Sequence, residues 1–251
     1  MSASEQPTPP AKPAIRKSFV VIVGGIFLVI AAAVIFLRGG VTVSAAGVTT
    51  SVEACNQAVS RLNSQMTALS APSVSWRAVE EAKRQATDAE TTCAALAQST
   101  RGAVDPAVQD SYQNIKKLAA QLAKAQHANI KVFANQEWQA AGISAVGGDL
   151  LFVTATGQWS ISGPLSAPKY GVTGPDGYEK NPSWGASIYG GRIGSLAMAV
   201  TNDARPSRAF TGTGKFMAPS GGPVRFRCND DGVNNNDGYL DVELVVMPSL
   251  Q

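Results

Sequence analysis

Asp230, Asp231, Asn234, Asn235, Asn236 and Asp237 crowd one turn of the segment RCNDDGVNNNDGYLDVELVV, residues 225–244. All are short side chains ending in hard oxygens, and the flanking runs VRFRC and YLDVELVV read as strands. Calcium takes about six to eight oxygen ligands and accepts carbonyls as readily as carboxylates. Asp230 and Asn235 bracket a loop that can curl around such an ion. Asp231 adds a carboxylate able to ligate or to touch a bound molecule, and Gly238 permits the turn back into the next strand. The same residues are also turn formers, because Asn and Asp bond their own backbone and tolerate positive φ. On local grounds, a cation site and a polar hairpin loop both remain open. An EF-hand does not: with Gly238 at that loop's obligatory glycine, Val233 and Leu244 fall where the first and last ligands belong, and with Gly232 there, Arg227 falls first.

Other chemistry is poorly supplied. In AFTGTGKF, Ala209 stands where a phosphate loop needs its first glycine and Phe216 where it needs Ser or Thr. The single histidine, His127, excludes a His-rich metal site. Residues 131–251 contain no histidine, so that region has no Ser/His or Cys/His pair. Asp230 and Asp241 fit a loop and a strand surface better than a glycosidase pair. No enzymatic activity is expected. The net charge is only +3 and the basic residues form no stripe with interleaved aromatics, so nucleic acid is not an expected partner.

The elements that must position the acidic loop lie between it and a membrane. Residues 1–18, rich in Pro, Ser and Ala, read as a disordered cytoplasmic tail. Residues 19–37, FVVIVGGIFLVIAAAVIFL, carry no charge and at ~1.5 Å rise span roughly 28 Å as a helix, about one hydrocarbon thickness. Lys12, Arg16 and Lys17 precede this run while only Arg38 follows closely, which puts the N-terminus in the cytoplasm and the C-terminal domain in the periplasm or outside the cell. The competing reading is a cleaved signal peptide, with SAA at 44–46 as its small-residue site. The apolar run exceeds the usual ~7–15 residues of a signal core, so a single-pass signal anchor is expected.

Residues 48–130 read as a helical spacer. Val52, Cys55, Val59, Leu62, Met66 and Leu69 form a heptad seam, LSAPS at 69–73 breaks it, and Val79, Ala82, Ala86, Ala89, Cys93 and Leu96 repeat it. Folded back about Pro72–Ser73, the two seams bring Cys55 and Cys93 to matching heights. Export favours oxidation, so a disulfide between them is expected. Asp105 and Pro106 suit the start of a third helix, whose stripe of Val108, Ile115, Leu118, Leu122 and Ala125 runs toward residue 130. His127 then reads as a surface residue of that helix. The stripes are compatible with a helical partner, a second copy of the chain included.

From residue 131 helix periodicity stops, and DLLFVTAT, SLAMAVT, VRFRC and YLDVELVV appear between Gly- and Pro-containing turns, the pattern of an all-β sandwich over 131–251. The order of motifs across residues 131–247 resembles the PA-I galactophilic lectin family of bacterial sugar-binding domains. The features are VFANQEW…GD, GQWSISGP, GPDG, FMAP, then ND…NNDG. The resemblance implies a jelly-roll-like lectin domain binding a galactose-like or other carbohydrate through calcium (Ca2+). It implies ligation by the carboxylate of Asp230, the side chain of Asn235 and backbone carbonyls of Asn236, Val233 and Ser162. It also places the sugar against Asn181, Pro182, Trp184, Asp230, Asp231 and Asn235. The chain departs from the pattern in two ways: the loop between Asp230 and the asparagine pair is shorter, and the family's His-Pro-x-Gln is here Asn181-Pro182-Ser183-Trp184. The lost His and Gln put galactose itself in question, while Trp184 is either a stacking face for a pyranose or a structural residue. Cys228 reads as a buried strand residue without a mate. The chain thus reads as a membrane-anchored, calcium-dependent carbohydrate-binding protein. The alternative is a structural or envelope-assembly protein whose sandwich binds a protein partner without metal.

Overall fold

The computed structural model describes residues 46–99, 106–179, 189–203, 206 and 209–249. The expected tail, the apolar segment 19–37 and Asp105 lie outside these residues. Among the described residues, no helix is long and apolar enough to cross a membrane.

Helices α1 (Ala46–Ala68) and α2 (Trp76–Ser99) form the antiparallel hairpin, and α3 (Pro106–Leu122) packs on α2. The heptad positions make the core: Cys55, Val59, Leu62 and Met66 of α1, with Leu69 just beyond it, are buried against Val79, Ala82, Ala86 and Ala89 of α2, with Ile115, Leu118 and Leu122 of α3 beside them. Alanine at successive seam positions of α2 lets the helices approach closely. Cys55 and Cys93 are bonded, with Cα atoms 5.0 Å apart. The bridge closes a loop of 38 residues, and a loop of that size stabilises by ~2–4 kcal/mol.

Eight strands follow: β1 (Gln126–Phe133), β2 (Gln139–Ala145), β3 (Leu150–Ser160), β4 (Leu196–Val200), β5 (Phe210–Thr211), β6 (Gly214–Met217), β7 (Gly222–Cys228) and β8 (Asp237–Met247). They form two four-stranded antiparallel sheets, ordered β1-β8-β3-β6 and β2-β7-β4-β5. The pairs β1·β8, β2·β7, β3·β6 and β4·β5 are those of one long hairpin folded at its middle. Rolling that hairpin up gives a jelly roll. Between the sheets lie the inward residues of each strand, including Leu151, Val153, Trp159, Met198, Phe226, Leu240 and Leu244.

Strand β1 begins at Gln126, so the sandwich starts before the expected boundary at 131. The helical stripe ends at Ala125, because its next position is the polar Asn129. From there Ala128, Ile130 and Val132 alternate with His127, Asn129 and Lys131, and the segment pairs with β8 from Gln126↔Val246 to Phe133↔Tyr239. His127 is therefore a strand residue of the sandwich and not a surface residue of a helix. Its ring stacks on Trp76 with centroids 5.0 Å apart, and its Nε2 lies 3.2 Å from Glu243.

The helical unit is docked on the outer face of the β1-β8-β3-β6 sheet. Phe152, Val245 and Met247 point away from the sandwich interior and join the helical core. The Trp76 N–H donates to Glu243 Oε1 at 3.2 Å. This docking sits near the end of β8, which leaves the loop before Asp237 clear at the opposite end.

Candidate functional site

The loop Asn229–Asn236 joins β7 to β8, and its neighbour is the segment that leaves β3. The reason is register: Ser160 pairs with Asp237, so the chain after Ser160 runs beside the chain before Asp237. Two bonds tie the segments. The Gly163 N–H donates to the Asn235 carbonyl at 2.7 Å, and the Leu165 N–H donates to Asp237 Oδ2 at 2.8 Å. Asp237 Oδ1 accepts from the Gly238 N–H at 2.8 Å, so this carboxylate serves the turn. Gly238 has φ +92°, and a Cβ there would lie 2.6 Å from the Gln158 carbonyl oxygen. Only glycine fits so tight a turn.

Asp230 and Asn236 are brought together and buried, with 4% and 6% of their surface exposed. Burial is the main reason the Asp230 carboxyl is held above the usual carboxylate range, and the neighbouring charge of Asp231 adds to it. The Asn236 side chain and the Asp231 backbone work the other way. Among the described residues, no basic side chain pairs with this carboxylate. Asn236 Nδ2 donates to the Ala134 carbonyl at 3.2 Å, while its Oδ1 is buried without a hydrogen-bond partner. A buried amide oxygen left bare costs about 1–3 kcal/mol, so a site that keeps one has a use for it or a cost to bear.

The other expected ligands lie on the same loop and on the segment bonded to it. Val233 begins a single 3-10 turn, Val233–Asn235, and its carbonyl accepts from the Asn236 N–H at 3.1 Å. The Ser162 carbonyl accepts from the Lys169 N–H at 3.1 Å. Each carbonyl keeps a second lone pair. The Asn235 side chain and Asp231 are exposed at the rim. The resemblance assigned the backbone oxygen of Asn236, and the structure adds its side-chain Oδ1, which is buried without a hydrogen-bond partner. These oxygens are of the type a hard cation takes: one desolvated carboxylate, one orphaned amide oxygen and two carbonyls with spare lone pairs. Asn181, Pro182 and Trp184 lie outside the described residues.

Two residues that sequence reasoning passed over hold the loop in place. Asn229 is fully buried. Its Nδ2 donates to the carbonyls of Gly190 at 2.9 Å and Arg192 at 3.1 Å, and its Oδ1 accepts from the Tyr189 N–H at 3.3 Å. It clamps the segment that follows residue 188 against the base of Asp230. Arg227 is buried as well. Its Nε donates to the Cys228 carbonyl at 2.9 Å and its Nη2 to the Asp230 carbonyl at 2.6 Å, while its Nη1 pairs with Glu137. Cys228 between them is free and buried, and burial pushes its thiol well above the ordinary range, which makes it inert.

No family model matches the chain, and no curated protein matches it. Among solved structures it is similar to one described as "EclA N-terminal domain; PllA-like lectin", with 19% identity over 47% of this chain and 95% of that chain and a TM-score of 0.36.

Proposed function

We propose that the sandwich is a calcium-dependent carbohydrate-binding module carried outside the cytoplasmic membrane on a disulfide-stapled helical spacer. The observation that carries the reading is the buried Asp230 carboxylate without a basic partner beside the bare Oδ1 of Asn236. In this reading Asp230 and Asn236 hold the ion, with the Val233 and Ser162 carbonyls completing the cage. Asn235 and Asp231 stand at the rim, where a sugar would meet them. A bound calcium supplies positive charge and open coordination positions to a sugar's vicinal hydroxyls. The protein's part is to fix the oxygens: Arg227 and Asn229 set the loop, and Gly163 and Leu165 lock it to the neighbouring segment.

A ligand that binds only the folded chain stabilises it by RT ln(1 + [L]/Kd), so calcium at ~100 Kd adds ~2.7 kcal/mol. Differential scanning of the full chain is expected to show this gain in the wild type and its near-complete loss in Asp230→Ala and Asn236→Ala. With chelator, Asp230→Asn is expected to be at least as stable as the wild type. The sign follows from the raised pKa. Between the ordinary and the raised value the folded chain binds the Asp230 proton more tightly than the unfolded chain does. This group's contribution to stability therefore grows as pH falls through that window, and at neutral pH the empty site carries an unfavourable charge. A wild-type melting curve indifferent to millimolar calcium rejects the metal site. A glycan array run with and without calcium then tests the sugar.

The anchor has its own test. A reporter active only in the cytoplasm, fused after Gln251, is expected to stay silent, and a strong signal reverses the topology.

A further inference from the structure

The outer face of the β1-β8-β3-β6 sheet holds an open groove of about 480 Å³ away from the acidic loop. Its floor is set by register. Asn129, Glu243 and Thr154 form one row across β1, β8 and β3, and Lys131, Asp241 and Thr156 form the next. Strands ~4.8 Å apart and same-face residues ~6.8 Å apart make this a floor of about 10 by 7 Å. Aromatic side chains stand beyond both ends of the floor on the same sheet face. At one, the helical hairpin meets the sheet, with Trp76 stacked on His127 at 5.0 Å. At the other stand Phe133 and Tyr239, 5.8 Å apart between centroids, with Lys131 Nζ 4.1 Å over the Tyr239 ring.

The floor chemistry is mixed and fixed in place. Glu243 accepts from the Trp76 N–H at 3.2 Å, lies 3.2 Å from His127 Nε2, and accepts from Thr154 Oγ1 at 3.4 Å, so its carboxylate is held before any ligand arrives. Two hydroxyls, an amide, a second carboxylate and one ammonium surround it. Donors and acceptors alternate over a small area, which suits a ligand whose every polar group is both, namely the hydroxyls of a sugar. The half-exposed rings of Phe133 and Tyr239 lie beyond the groove's lining, on the same face, where a longer ligand would reach them. Lys131 is 4.0 Å from Asp241, and the lining holds two carboxylates to this one ammonium, so an anionic ligand is disfavoured. The floor is a sheet face whose strands β8 and β3 are each paired on both sides, so a peptide lying across it has no free backbone row beneath it, and the sheet's free edge is along β1 at its side.

We infer that this groove is a second carbohydrate site, taking a neutral disaccharide-sized segment without calcium. It shares the ligand class proposed for the acidic loop but none of its residues, so each stands or falls alone. The probe is an array of immobilised neutral oligosaccharides with basic peptides printed alongside, and the full chain is applied in a detergent without a sugar head group. With EDTA present, neutral oligosaccharides are expected to retain the protein. Thr156→Trp, which fills the exposed groove, and the pair Asn129→Ala with Asp241→Ala, which strips it, are each expected to weaken that binding by about tenfold or more. Asp230→Ala is expected to leave it unchanged. Binding that vanishes in EDTA overturns the second site and leaves the calcium reading intact. EDTA-resistant binding that survives both groove variants overturns it as well. Retention on the basic peptides in place of the sugars assigns the groove to a different ligand. Sugar binding in neither condition overturns the second site, and the calcium site is judged by its own melting test.

Discussion

Trp159→Ala is expected to lower the unfolding free energy by about 4 to 5 kcal/mol and to drop the melting temperature by about 10 to 15 °C. Trp159 is the largest fully buried side chain of the chain's described residues. Its removal forfeits the transfer energy of an indole and leaves a cavity between two sheets, which can close only by moving paired strands. The indole N–H also donates to the Gly194 carbonyl at 2.7 Å, so that oxygen is stranded in the core. The site is affected through the same bond. The Gly194 N–H donates to the Asn229 carbonyl at 2.9 Å, and Asn229 is the residue before Asp230. Trp159→Phe separates the two effects: it keeps most of the volume and loses the bond, so it is expected to cost about 1 to 2 kcal/mol and still to blunt the calcium response. Chemical denaturation of the three proteins measures this. A loss below about 2 kcal/mol for the alanine variant would mean that the core collapses around the gap.

How much of this could be read in advance follows from the range of each interaction. The runs at 149–156, 195–201, 224–228 and 239–246 are strands because each buries apolar side chains on a sheet face, a signal local enough to see. The disulfide was legible because two heptad seams of equal length about Pro72 place Cys55 opposite Cys93. Strand β2, QAAGISA, buries little beyond Ala141 and Ala145 and has no apolar run to announce it. Strand β5 has only two residues. Strand β1 follows Ala125 with no glycine or proline between, so the end of the helix carried no mark. At the site, Asp230 and Asn236 were legible as oxygen donors, since loop spacing is local. That the side-chain Oδ1 of Asn236 is buried and bare was not, because it depends on Ala134, 102 residues away, taking its Nδ2. Arg227 was invisible for the same reason: in VRFRC it alternates like any outward strand residue, and its partner Glu137 is 90 positions distant.

Arg227→Met is expected to cost about 3 to 5 kcal/mol and to weaken calcium binding, although Arg227 is no ligand. The guanidinium is 4% exposed and reaches three acceptors at once: the carbonyls of Cys228 and Asp230 and the Glu137 carboxylate. The Cys228 carbonyl also accepts from the Asp230 N–H, so it keeps a partner when the arginine is lost. The Asp230 carbonyl is left bare, and the loop must shift to find it water. Glu137 contributes little by itself, because it is mostly exposed at 65%, and Glu137→Ala is expected to cost under about 1 kcal/mol. Arg227→Lys recovers only part of the loss, since an ammonium lacks the planar fork that spans these acceptors. The calcium readout decides between two physical effects of opposite sign. If the positive charge of Arg227 dominated, removing it would relieve repulsion and tighten calcium. Glu137 already offsets that charge on the guanidinium itself, whereas nothing replaces its hold on the Asp230 backbone, which sets the direction of the Asp230 carboxylate. The geometric effect therefore wins, and a calcium titration of Arg227→Met is expected to show weaker binding than the wild type. Tighter binding, or a variant as stable as the wild type, would show that the loop holds its shape without the arginine.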